Sequence, residues 1–233
     1  MRYIDHLSEM GIKQSNRVLI LMPHPDDEAV FISGLLQKLS SSRISTRVVT
    51  LTAGEKSTLR HGLSPSANLT QVRKQELANA FKILGVTNFS ILDYPDGELE
   101  EQTQKIKSTI IKEIKSYQPT HLITLEPDGV YGHPDHIAVS EIITNLVNSL
   151  IKLIYITVSP NYIFPTARAM AKKSTIKPLK AQYCLHLTFP EAFNKIKALH
   201  THRSQFTFNP FQTKSLIHFL RNGMFTHEYF SYK

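Results

Sequence analysis

A chain of 233 residues with 41% apolar content is long enough for one α/β domain around a single large core and short for two. Its net charge of +8 invites a polyanion partner, but the Lys and Arg residues are dispersed, so no nucleic-acid partner is expected. The single cysteine, Cys184, excludes an internal disulfide and any multi-cysteine metal site, which favours a reducing, cytoplasmic setting and leaves histidine as the main nitrogen ligand.

Met1 to Arg17 carries charges and polar residues throughout, and the apolar run Val18 to Met22 is too short for a signal-peptide core. Arg17 to Met22 reads as a buried parallel strand. Ala29, Ile32, Leu35, Leu36 and Leu39 follow at helical spacing. The unit then recurs: Thr46 to Thr52 as strand, Leu69 to Leu84 as helix, Phe89 to Leu92 as strand, Gln104 to Tyr117 as helix. His121 to Leu125 is again strand-like, His136 to Leu150 helical, and Leu153 to Val158 a fifth strand. Beyond Ser159 the pattern loosens, with a locally basic stretch from Arg168 to Lys180 (Arg168, Lys172, Lys173, Lys177, Lys180) that lacks interleaved aromatics and reads as a solvated face. Tyr183 to Phe189 is a candidate strand and Glu191 to Arg203 a candidate helix.

Strands alternating with helices at this spacing predict right-handed crossovers and a Rossmann-like three-layer sandwich with a mostly parallel sheet. A single domain over residues 1–233 is expected, with its core at about 17–158 and a C-terminal extension over 159–233. No window approaches the roughly 18 apolar residues of a membrane span, so a soluble chain is expected, and homo-oligomerisation is compatible with this composition. Ligands of such sheets sit beyond the carboxyl ends of the strands, which singles out the loops His24 to Glu28, Ala53 to Lys56, Tyr94 to Glu98 and Glu126 to His136.

Two of those loops carry the same tripeptide, His24-Pro25-Asp26 and His133-Pro134-Asp135, where composition predicts roughly 0.02 occurrences by chance. Proline at a first helical position and aspartate in a first turn are ordinary helix-start chemistry. They do not account for the histidines, nor for the surplus ionisable groups in Asp26-Asp27-Glu28 and Asp135-His136. Residues three apart at a helix start share a face, so His24 with Asp27, and His133 with His136, can point into one crevice. Two imidazoles and one carboxylate form a set suited to zinc or iron(II) with open positions for a reaction, leaving Asp26 and His133 as acid and base candidates.

Pro23-His24-Pro25-Asp26-Asp27-Glu28 and His133-Pro134-Asp135-His136 closely resemble the signature motifs of the LmbE-like, or PIG-L, zinc deacetylase family. The resemblance continues in order through Leu51-Thr52-Ala53-Gly54-Glu55, Arg73, Glu76, Asp96-Gly97, Lys195, Ala198-Leu199, His202 and Ser204-Gln205. It implies zinc held by His24, Asp27 and His136, with iron(II) as an alternative ion, and Asp26 as general base. Tyr131 and His133 would face the developing oxyanion, Asp135 would orient His133, and Arg73 and Asp96 would grip sugar hydroxyls. His202 and Glu28 would support the ligands.

The implied activity is removal of the N-acetyl group from an N-acetylglucosamine-type sugar or conjugate, a small-molecule substrate, with release of acetate. Alternatives are an amidase acting on a thiol-sugar conjugate, a non-catalytic sugar-binding protein, and a metal phosphoesterase, which would normally want a second metal.

Overall fold

The computed structural model of the chain describes residues 1–160, 176–206 and 223–233. The predicted α/β alternation is present: strands β2 (Arg17–Met22), β3 (Ser45–Thr52), β4 (Phe89–Tyr94), β5 (His121–Leu125) and β6 (Lys152–Thr157) alternate with helices α2 (Ser33–Ser41), α3 (Leu69–Leu84), α4 (Thr103–Tyr117) and α6 (Pro134–Leu146). Short α1 (Asp27–Phe31) precedes α2, and a single kinked turn, α5 (Gly129–Gly132), precedes α6. Three strands lie outside the predicted core: β1 (Arg2–Ile4), β7 (Tyr183–His186) and β8 (His227–Tyr232), with α7 (Phe189–Thr201) between the last two.

The eight strands of the described residues form one sheet in the order β1-β7-β8-β6-β5-β2-β3-β4. Every pairing is parallel except those of β8, which runs antiparallel to both β6 and β7. The segment expected as an extension is therefore built into the sheet. Within β2, Val18, Ile20 and Met22 enter one apolar cluster and Leu19 and Leu21 the other, as the two-residue period of a strand buried on both faces requires. Helices α2, α3 and α7 supply Leu35, Leu77 and Leu199 to the first cluster, and α4 and α6 supply Ile110 and Ile143 to the second. These are the three layers of the sandwich.

The single helix expected from Ala29 to Leu39 is broken at Ile32, whose φ of −137° leaves the helical region. Ser33 Oγ donates to Ala29 O at 2.8 Å, and the Glu228 carboxylate, arriving from β8, accepts the Gly34 and Leu35 amides at 2.8 and 2.9 Å. Glu228 thus caps α2 from a distant strand, and Lys195 Nζ donates to the same carboxylate at 2.9 Å. Gly34 is required for another reason: a Cβ there would lie 2.5 Å from the Leu187 side chain.

From β2 the chain proceeds outward through β3 to β4, then returns to place β5 and β6 on the other side of β2. The crevice at the carboxyl ends of β2 and β5 is a topological switch point, where ligands bind in sheets of this kind. Both His-Pro-Asp segments open onto it. No helix among the described residues is long and apolar enough to cross a membrane. Of the basic stretch, Arg168, Lys172 and Lys173 lie outside the described residues.

Candidate active site

After β2 the chain turns sharply at Asp26, the residue before α1, whose φ of 101° is left-handed and uncommon for a non-glycine. Its amide donates to Glu28 Oε2 at 2.9 Å, and Glu28 Oε1 stands 2.7 Å from His202 Nε2, so a residue of the α7 end supports this turn. The turn brings Asp27 back beneath His24, whose own amide donates to Asp27 Oδ2 at 3.0 Å. After β5, the α5 turn and the start of α6 bring His136 to the same point. His24 Nδ1 lies 3.2 Å from His136 Nε2, and Asp27 oxygens lie 3.6 Å from the former and 3.4 Å from the latter.

Asp27 meets the two rings with different oxygens, Oδ2 toward His24 and Oδ1 toward His136, and the separations are close to those around a metal ion. Tetrahedral zinc with bonds of about 2.0–2.1 Å separates its ligand atoms by about 3.3–3.4 Å. The hydrogen bonds behind each ring agree, because they leave the inward nitrogen as the lone pair. His136 Nδ1 stands 3.2 Å from Gly129 O, a carbonyl that can only accept, so Nε2 is unprotonated in the neutral ring. His24 Nε2 faces Asp135 Oδ2 at 3.0 Å and Asp96 Oδ1 at 3.1 Å, which directs Nδ1 inward.

The electrostatics follow from burial and these contacts. Burial would raise the Asp27 carboxyl, but His136 and His24 beside it hold it at about 2. His136, desolvated first and next to other imidazoles, falls to about 3. For His24 burial opposes the cation, yet hydrogen bonds to Asp135, Asp27 and Asp96 outweigh it and raise its pKa. Asp27 as an anion and His136 as a neutral ring are thus in the forms a metal takes, whereas His24 is held as the cation without the ion and would give up a proton to bind one. His133 also converges, with its ligating atom within 4.8 Å of those of His24 and His136, but Asp27 makes the tighter contact with both rings.

Several side chains stand elsewhere than expected. Asp135 does not face His133: its Oδ2 holds His24 Nε2 and accepts the Gly97 amide at 2.7 Å, and Oδ1 accepts Leu99 N at 3.1 Å. Asp96 likewise faces His24 and accepts the Lys56 amide at 3.1 Å. Arg73, only 3% exposed, donates from Nη1 to Gly54 O at 2.8 Å and from Nη2 to Pro25 O and to Asp26 Oδ2, the last at 2.9 Å. Its two terminal nitrogens are engaged by the protein, so it holds Asp26 where a sugar contact was expected, while its buried Nε has no hydrogen-bond partner among the described residues. Gly54 makes room for it, since a Cβ there would lie 1.8 Å from Nη1 at a backbone φ of +66°.

Asp26 itself rises to about 6, driven by burial and moderated by the Arg73 cation. His133 caps α6, its Nδ1 accepting the Asp135 amide at 3.2 Å, which leaves Nε2 as the nitrogen that carries a proton toward the crevice. Burial, with the neighbouring His24 charge, lowers its pKa. The Tyr131 ring centroid lies 5.1 Å from that of His136 and 6.0 Å from that of His133. One buried carboxylate of this region, Glu126, drew no role from the sequence, although its place directly after a strand offered a signal.

Fold and site define an α/β protein with a histidine-carboxylate centre of metal-binding type at the switch point of a largely parallel sheet. A family model described as PIG-L, GlcNAc-PI de-N-acetylase, matches residues 19–147, and the chain belongs to that family. It is 29% identical over 203 residues to the probable N-acetyl-alpha-D-glucosaminyl L-malate deacetylase 2 of Bacillus anthracis, with 84% of each chain covered. Over 121 residues it is 34% identical to the diacetylchitobiose deacetylase of Thermococcus kodakarensis, a match spanning 52% of this chain and 45% of that one. The structure of N,N'-diacetylchitobiose deacetylase from Pyrococcus horikoshii shares the fold, with a TM-score of 0.64 at 24% identity, covering 94% of this chain and 84% of that one.

Proposed function

We propose that the chain is a zinc-dependent N-deacetylase that removes the acetyl group from an N-acetylglucosaminyl conjugate, with the ion held by His24, Asp27 and His136. The observation that carries the reading is the convergence of His24 Nδ1, His136 Nε2 and the Asp27 carboxylate through contacts of 3.2–3.6 Å, with Asp26 beside them. When bound, the ion supplies Lewis acidity toward the amide carbonyl and toward water. Iron(II) would suit the same donors.

The remaining chemistry falls to the chain. Asp26, with a carboxyl raised toward neutrality and held by Arg73, accepts the proton of the attacking water. His133 presents an Nε2–H and, with Tyr131, stabilises the negative charge that develops on the former carbonyl oxygen. Carbon–nitrogen cleavage then needs a proton on the departing amine, which returns through Asp26 or His133. Asp135 and Asp96 keep His24 in the tautomer that faces inward. The common sheet supports reading residues 1–233 as one catalytic domain.

The relatives' names make N-acetylglucosaminyl L-malate and diacetylchitobiose the first substrates to test. Zinc-loaded protein is incubated with each, and with a phosphodiester, while primary amine and phosphate ester products are followed. Release of amine and acetate is expected. Binding without turnover, or cleavage of the phosphodiester alone, would reject the reading.

A further inference from the structure

The turn that presents Tyr131 is strained. Val130 has φ 66° and ψ −62°, a geometry close to the rare γ-turn of opposite hand to the common one, and an outlier for a β-branched residue. Such a conformation persists only where its surroundings over-determine it. The Val130 side chain is fully buried in the apolar cluster beneath the sheet, which fixes one end of the residue. The other end is fixed by Glu126. This side chain, 1% exposed at the end of β5, accepts the Val130 amide on Oε1 at 2.7 Å. Its backbone carbonyl accepts the Gly129 amide at 2.8 Å. On the far side Oε2 accepts the Leu179 amide at 3.2 Å, which ties the turn to the strap leading toward β7.

We propose that Glu126 is a positioning residue for the reaction: its carboxylate holds Val130 in the strained turn and thereby sets Tyr131 against the reacting amide. The inference rests on the deacetylase reading, in which Tyr131 stabilises the developing oxyanion. Without the carboxylate, the buried Val130 amide loses its acceptor, the turn relaxes toward an ordinary backbone conformation, and Tyr131 moves with it. A displacement near 1 Å is enough to weaken a preorganised donor by orders of magnitude. Glutamine cannot substitute, because its one oxygen serves one amide while its NH2 meets the other as donor against donor.

The test uses the full zinc-loaded chain and the N-acetylglucosaminyl substrate that it turns over. Glu126→Gln is expected to lower kcat by about 10- to 100-fold with KM changed less than about 2-fold. In a Tyr131→Phe background the same change should alter kcat by less than about 3-fold, because the group it positions is already gone. Zinc content is measured in every variant, because Gly129 O also accepts from His136. Loss of zinc from Glu126→Gln would show that the clamp serves His136 and would overturn the assignment. So would an equal loss of kcat in both backgrounds, or no loss at all. Wild-type kcat in Tyr131→Phe overturns the role of Tyr131 itself, and is thereby told apart from failure of Glu126 alone. Should Glu126→Gln fail to fold, Glu126→Asp gives the same comparison with the charge kept and the reach shortened by one methylene.

Discussion

Replacing Glu228 by glutamine should come close to unfolding the protein, although the residue lies away from the candidate metal ligands. Its carboxylate accepts Lys195 Nζ at 2.9 Å and the Gly34 and Leu35 amides at 2.8 and 2.9 Å, with side-chain exposures of 0% for Glu228 and 1% for Lys195. Glutamine keeps the volume but leaves an ammonium buried without an anion, a change that costs about 3–5 kcal/mol. It also weakens the cap of α2, worth a further 0.5–2 kcal/mol or so. The sum, about 3.5–7 kcal/mol, is a large part of the roughly 5–15 kcal/mol that stabilises a domain. Lys195→Met should cost less, because the two amides and the α2 dipole still face the anion. The double variant should be more stable than Glu228→Gln alone, with a coupling energy of at least about 2 kcal/mol. Urea unfolding followed by circular dichroism measures each step as a shift in midpoint at constant m. A cost below about 1 kcal/mol for Glu228→Gln, or single effects that simply add, would refute the reasoning.

Asp26→Asn should bind zinc and substrate nearly normally while kcat falls by about 10²–10⁴-fold; loss of zinc would make Asp26 a ligand, and an undiminished kcat would make another group the base. His136→Ala should markedly weaken zinc binding, and normal affinity in chelator competition would reject the ligand assignment. Burial first, then the Lys152 charge, holds His121 at about 4, below the roughly 6.5 of an unfolded histidine. The unfolded chain therefore takes up the proton first, so the stability associated with His121 is complete above pH 6.5 and declines as pH falls to 4. His121→Gln should flatten that part of the Tm profile, and parallel profiles for the two proteins would contradict this.

The elements legible in the sequence are those whose cause is local. Arg17 to Met22 declares itself as a doubly buried strand because every residue after Arg17 is apolar, and the two His-Pro-Asp segments mark themselves by repetition. Strand β8 does not: His-Glu-Tyr-Phe-Ser-Tyr places an acid in the interior, and that acid makes sense only with Gly34, Leu35 and Lys195 beside it. The break at Ile32 is hidden for the same reason, since the apolar spacing continues across it. Arg73 was closer to legible. It falls four residues after Leu69 and four before Leu77, on the buried stripe of α3, which argued against a surface position. The partners of Asp135 and Asp96 lie at His24, far away in the chain, and spacing carries no information about such pairs.

The antiparallel placement of β8 bears on how the chain acquires its shape. Among the described residues every other strand precedes β8 in the order of synthesis, yet β8 lies between β6 and β7, so β7 and β1 have no described strand joining them to β6 until it inserts. A nascent chain can zip β2 through β6 as its residues emerge, because those strands neighbour one another through local crossovers. It then has to hold an open flank at β6, with unpaired amides and carbonyls, while the β7 segment waits. Closure of that flank is a late event of long loop length, the kind of contact that slows folding and leaves a sticky edge meanwhile. Among the described residues, the two-strand flank of β1 and β7 is accordingly the part of the sheet whose attachment depends on the last strand to be made.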